Sequence, residues 1–167
     1  MGDSKRIDIK AGMKTTLAAL SASNGYNYNY DNDRIFIGHV SSDKIIGLLQ
    51  KNNPVLYILT GESNYIPLTN GQYTSGIHKQ KDGFLLGVGF YVKGSMNADD
   101  PKELDDQVEN VIKDIVDGVL NTPQLGVSAV INTYLMRVGG VDTHLSENIG
   151  EGSVIFAVKY DFTKGAF

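Results

Sequence analysis

The stretch from Asp99 to Leu120, DDPKELDDQVENVIKDIVDGVL, constrains the fold more than any other part of the chain. Leu104, Val108, Val111, Ile112, Ile115 and Val119 recur at the helical period and form one apolar stripe. Asp100 is placed to cap this helix, Pro101 suits its first turn, and Glu103 completes a capping box by analogy. Pro123 lies beyond its end. The acids fall on the opposite face. They gather toward the N-terminal end, where the helix dipole favours negative charge. We therefore expect the six apolar residues to be buried and Asp106, Glu109 and Asp117 to be exposed. The candidate acidic face is Asp99, Asp100, Glu103, Asp106 and Glu109.

The surrounding elements supply what that stripe packs against. Ile9, Met13, Leu17 and Leu20 predict a first helix over about 8–22, stopped by Asn24-Gly25. DRIFIGHV reads as a strand. SSDKIIGLLQKN reads as a short helix capped by Ser41 or Ser42 and closed by Pro54, and VLYILTG as a second strand. In FLLGVGFYVKG, Phe84, Leu86, Val88, Phe90 and Val92 share one face. The other face carries Gly87 and Gly89, where a neighbour can approach closely. VSAVINTYLMRV and SVIFAVKYDF close the chain as strands. This order predicts an α+β fold: a single domain over 1–167, with a mixed β-sheet and two long helices packed on one face. Two connections look long. Residues 62–82 contain Asn70-Gly71, a type I′ turn signal, and suggest a projecting hairpin. Residues 139–151 link two strands that a tight turn could join.

Composition excludes several chemistries. The chain has 167 residues and no cysteine, so disulfides, thiolate zinc sites and cysteine nucleophiles are ruled out. No apolar run approaches a bilayer span, and the N-terminus lacks the apolar region of a signal peptide. We read a soluble protein made in the cytoplasm, with no membrane partner. The formal net charge is −4, and residues 97–120 hold eight acids against Lys102 and Lys113. Such a surface repels phosphate backbones, which disfavours a nucleic-acid binder held by simple electrostatics.

Catalytic and cofactor patterns are missing too. His39, His78 and His144 show no metal spacing. His144 lies beside Ser146 and Glu147, but triad members converge from different elements rather than from sequence neighbours. GVGFYVKG lacks the third glycine of a dinucleotide fingerprint, and no phosphate loop occurs. Asp31 and Asp33 resemble the start of a calcium loop without its later Gly and Glu, so turn chemistry is the better reading. We expect no catalytic residue, no cofactor and no metal.

NGYNYNYDN, residues 24–32, is the one unusual tract. At period two, Tyr26, Tyr28 and Tyr30 would line one face of a strand. Three readings stand: a half-buried sheet edge, a contact with a subunit or partner, or stacking on a sugar or base. Tyr26, Tyr28, Tyr30, Asn70, Gly71, Tyr73 and His144 are the candidate contact residues.

Taken in order, the pieces resemble a known family. An amphipathic helix leads into NGYNYNYDNDRIFIGHV, then NPVLYILTGES. A strand ending GFYVKG follows, then the acidic helix with VIKDIVDGVL and a closing strand VIFAVKYDF. Over roughly 8–162 this is similar to the tail terminator (tail completion) proteins of long-tailed bacteriophages. The helix at 41–51 and the 62–82 excursion are additions to that pattern. The resemblance implies a non-catalytic virion protein at the head-proximal end of the tail. It would form a homohexameric ring that caps the tail tube protein, stops polymerisation and meets the head–tail connector or neck protein. An acidic lumen would let DNA pass without binding it. A tail tube or neck protein is the alternative in the same class; a small enzyme or ligand-binding domain is the alternative outside it.

Overall fold

The alternation in FLLGVGFYVK becomes the middle of a five-stranded sheet. The computed structural model describes residues 5–49, 53–60, 79–94, 101–144 and 148–163. Its elements are α1 (Lys5–Ala18), β1 (Ile35–Ile37), α2 (Ser42–Leu49), β2 (Val55–Thr60), β3 (Lys79–Lys93), α3 (Pro101–Asn121), β4 (Val130–His144) and β5 (Ile149–Thr163). The sheet order is β1-β2-β3-β5-β4. β1 and β2 run parallel, and every other neighbouring pair is antiparallel. The α+β class and the mixed sheet are as the sequence predicts.

Strand alternation sorts the side chains into two layers. Phe84, Leu86, Val88, Phe90 and Val92 of β3 are all fully buried. They join Leu56 and Ile58 of β2 and Val154, Phe156, Val158 and Tyr160 of β5 in one core with α1 and α3. The α3 stripe behaves as expected: Leu104, Val108, Val111, Ile112, Ile115 and Val119 are all buried. α1 packs on β1 and β2, whereas α3 lies over β5, β4 and β3. The two long helices share one face. The short α2 packs on the other, where Ile45 and Leu49 meet Val55 and Tyr91.

A glycine marks where the segment just after α1 meets α3. A Cβ on Gly118 would lie 2.6 Å from Leu20 Cδ1, so α3 keeps no side chain where Leu20 enters. Arg34 fixes α2 from outside. Its guanidinium donates to the Leu48 carbonyl from Nη1 (2.9 Å) and Nη2 (2.6 Å), satisfying one of the orphan acceptors at a helix C-terminus.

Several boundaries differ from the sequence reading. α1 ends at Ala18, and Gly25 (φ 90°) instead caps a separate 3₁₀ turn, Ala22–Asn24. The first strand keeps only Ile35–Ile37, because Asn32–Arg34 forms a 3₁₀ turn and Gly38 (φ 99°) breaks the extended backbone. Of the 139–151 connection, residues 139–144 and 149–151 belong to strands. The β4–β5 ladder continues through Asp142↔Glu151, Thr143↔Gly150 and His144↔Ile149, so two long strands run through these residues. Residues 79–82, read as part of the projecting hairpin, belong to β3 and pair with β5. The rest of that excursion lies outside the described residues.

Candidate assembly surface

The connection from α1 to β1 answers the question raised by the tyrosines. It is not a strand: 3₁₀ turns bracket an irregular loop, so Tyr26, Tyr28 and Tyr30 share no sheet face. The reason lies 84 residues away, on α3. Asp114 is 1% exposed and sits under the loop. Its carboxylate accepts from Asn27 N (2.8 Å to Oδ2), Asn27 Nδ2 (2.7 Å to Oδ1), Tyr28 N (3.2 Å) and the Tyr30 hydroxyl (3.1 Å). Two backbone N–H groups that a ladder would have used are taken by one side chain. The sequence reading placed all the α3 acids on the solvent face. Asp114 is the exception, and it is tolerated inside because four donors compensate its burial.

The three tyrosines therefore differ. Tyr30 is 1% exposed, with its ring in the core. Tyr26 and Tyr28 are half-buried against that core, and Tyr28 meets Tyr30 edge-on at 6.3 Å between centroids. Burial, then the Asp114 charge, pushes the Tyr28 hydroxyl up to about 12. The same two causes, with the hydrogen bond to Asp114, raise Tyr30 further still.

The far side of the sheet is also apolar. Tyr57 of β2 lies opposite Gly89 of β3, and any Cβ at 89 would collide with the Tyr57 ring. Tyr57 and Tyr91 stand 5.8 Å apart, and burial, Tyr91 and Glu151 raise the Tyr57 hydroxyl to about 12. Leu59, Leu85 and Ile155 are half-buried on this face.

β4 is the edge strand beside β5. It presents Tyr134, Leu135, Met136 and Val138, exposed at 46%, 40%, 57% and 42%. Among the described residues this is the longest run of exposed large apolar side chains, with only Arg137 interrupting it. Register shifts at Val130/Asn132, Leu135/Arg137 and Gly139/Asp142 divide the strand into short regular segments. Nothing in the sequence reading singled out TYLMRV. Its three consecutive apolar residues, Tyr134, Leu135 and Met136, are the available signal, since a half-buried strand should alternate.

The other candidate residues are dispersed. Asp106 and Glu109 are exposed on α3, and Glu103 is half-buried. Asp117, expected to be exposed, is half-buried and paired with Lys113 one turn away. His144 is the last residue of β4, far in the chain from the tyrosine loop. Asn70, Gly71, Tyr73, Asp99 and Asp100 lie outside the described residues. Among the described residues no cluster of three His, Asp or Glu could hold a metal ion, and no helix is long and apolar enough to cross a membrane.

Among the described residues these features define an α+β domain with the two long helices on one sheet face, the short α2 on the other, and an apolar edge strand, β4. No protein-family model matches the chain, and no curated protein matches it. Among solved structures, a chain of the virion of a native gene transfer agent particle is similar. The TM-score is 0.52, covering 92% of this chain and 94% of that one, at 6% identity. The likeness is one of fold, and it spans nearly the whole of both chains.

Proposed function

We propose that this protein is a structural component of a phage-like virion and, more specifically, a tail terminator. In this reading it forms a closed, homohexameric ring on the head-proximal end of the tail tube. The ring halts tube growth and presents a surface to the head–tail connector or neck protein. The observation that carries the reading is the end-to-end likeness to a chain of a gene transfer agent virion. The order and type of elements, which resemble the tail terminator family, support it.

The geometry suits such a role. A ring of identical subunits needs heterologous contacts, in which one surface patch meets a different one on the next copy. An open strand edge is material for contacts of that kind. The acidic α3, with Asp105, Asp106 and Glu109 exposed, would repel passing DNA if it faced the lumen. Function here is binding and shape rather than bond-making.

Electron microscopy of the purified protein tests the reading. Closed single rings are expected. Open filaments would move the assignment to a tube protein, which stacks without limit. Monomers at every concentration, making no contact with one another, would overturn it.

A further inference from the structure

We propose that the β4 edge of one copy pairs with the β1 edge of a second copy, so that the sheet runs on from subunit to subunit. This deepens the ring reading and rests on it.

The sheet has two outer strands, β1 and β4. Among the described residues neither has a second strand beside it, so each edge can take an extended strand. A second copy of the chain necessarily brings both edges. Directions agree: β1 is parallel to β2, and the steps to β3, β5 and β4 each reverse it. β4 therefore runs opposite to β1. Repeating the subunit around an axis roughly along the strands brings the two together antiparallel, the more stable pairing.

Lengths agree as well. β1 has three residues, and the bulges divide β4 into short regular segments, Asn132–Leu135, Arg137–Gly139 and Asp142–His144. Bulges also twist an edge, so β4 fits a short strand of matching twist rather than any long flat one. Side chains match in kind: β1 exposes Ile37 at 45%, and β4 exposes Leu135, Met136 and Val138.

Charge favours the same pairing. Asp31 and Asp33 are exposed just before β1, and Arg137 is exposed on β4. Behind the edges, α1, which packs on β1 and β2, carries Lys10 and Lys14 against Asp8, while Arg6 is turned to Tyr160 and Phe84 in the middle of the sheet. α3 on the β4 side carries, besides the buried Asp114, five acids against two lysines. Head-to-tail docking juxtaposes opposite charge, whereas β4-to-β4 docking would set α3 beside α3, like against like.

The chain has no cysteine, so introduced ones report contacts cleanly. Met136→Cys and Ile37→Cys, mixed in equal amounts and oxidised, should give a disulfide-linked dimer that neither variant gives alone. The double variant should give a ladder ending at the ring size. Met136→Lys should weaken self-association by roughly tenfold or more while leaving the circular dichroism melt unchanged. Added salt should weaken assembly. If Met136→Cys alone cross-links as fully as the mixture, β4 pairs with β4 and the inference fails. It also fails if wild type assembles and Met136→Lys assembles equally well; both results leave the ring reading standing. Wild-type protein that sediments as a monomer at every concentration removes the ring reading and the inference with it.

Discussion

The Tyr30 hydroxyl donates to Asp114 Oδ2 at 3.1 Å, joining the α1–β1 loop to the middle of α3 in the interior of the protein. Both groups are buried, and the same carboxylate oxygen takes the backbone N–H of Tyr28. One acid thus sets the path of a loop whose sequence, by spacing alone, suggests a strand. The relationship also separates the two roles of an acidic helix: most of its carboxylates solvate a surface, and one organises the fold.

Removing Asp114 strands several donors at once. Asp114→Ala should destabilise the domain by roughly 3 kcal/mol, because the buried Tyr30 hydroxyl and the part-buried N–H groups of Asn27 and Tyr28 lose their partner together. Tyr30→Phe should cost about 1 kcal/mol, since the carboxylate keeps its other donors. In the Asp114→Ala background the same Tyr30→Phe change should be neutral or stabilising, because it removes an unpaired hydroxyl. Urea unfolding of the four proteins gives the coupling directly. Additive effects would show that the bond contributes nothing.

Alkaline pH should loosen the protein through its tyrosines. Tyr28 and Tyr57 are held near 12 in the folded state, against an ordinary value of 10. Below pH 10 both states keep these protons and the stability contribution is intact. Above it the unfolded chain ionises first, so stability falls as pH rises through about 12. The denaturant midpoint should drop across that window, and Tyr57→Phe should make the drop shallower. An unchanged slope in that variant would remove Tyr57 from the account.

Two glycine substitutions in helices should act in opposite directions. At Gly47 of α2 a Cβ meets nothing within 4 Å. Gly47→Ala should therefore stabilise by up to about 1 kcal/mol, the helix propensity difference. Gly118→Ala gains the same propensity, but its Cβ arrives 2.6 Å from Leu20 Cδ1. It should be destabilising on balance, since Leu20 must leave its place in the core. Thermal melts of the two variants decide; a stabilised Gly118→Ala would show that Leu20 can shift without penalty.

The α3 stripe allows a harsher test. Val111 is fully buried in the centre of the core. Val111→Asp places a charge there without the donors that surround Asp114, and it should unfold the domain. A native-like melt of that variant would contradict the packing of α3.

The periodic parts of this fold are legible in the sequence because one interaction decides each of them. Val111 and Phe90 are buried for the same reason, an apolar stripe meeting an apolar sheet, and stripe and alternation can be read residue by residue. The loop at 25–31 is not legible, because its conformation depends on Asp114, and an aspartate on an otherwise apolar-or-acidic helix gives no local sign of pointing inward. The ladder formed by 139–144 and 149–153 is not legible either, because its glycines and polar residues resemble a loop yet pair along two strands. The candidate surface was half visible. TYLMRV violates the alternation of a half-buried strand, but only the strand order shows that it lies on an edge.

The tyrosine loop offers a last test, because its three rings are not equivalent. We propose that Tyr26 and Tyr28, half-buried against the core and partly open to solvent, contribute to a contact with a neighbouring subunit, while Tyr30 serves the core. Tyrosine suits such a contact because its ring is rigid and its hydroxyl tolerates water. Tyr30→Ser should collapse the thermal transition: it empties a fully buried site and leaves Asp114 one donor short. Tyr26→Ser with Tyr28→Ser should lower the melting temperature only slightly, since the backbone N–H groups still hold the loop on Asp114. The same pair should shift the protein toward smaller species on size-exclusion chromatography, because aromatic area at an interface carries more of its binding energy than of folding. Unchanged oligomers in the double variant would confine all three rings to the architecture of the single subunit. A collapse of its melt would place Tyr26 and Tyr28 beside Tyr30 as packing residues of the core.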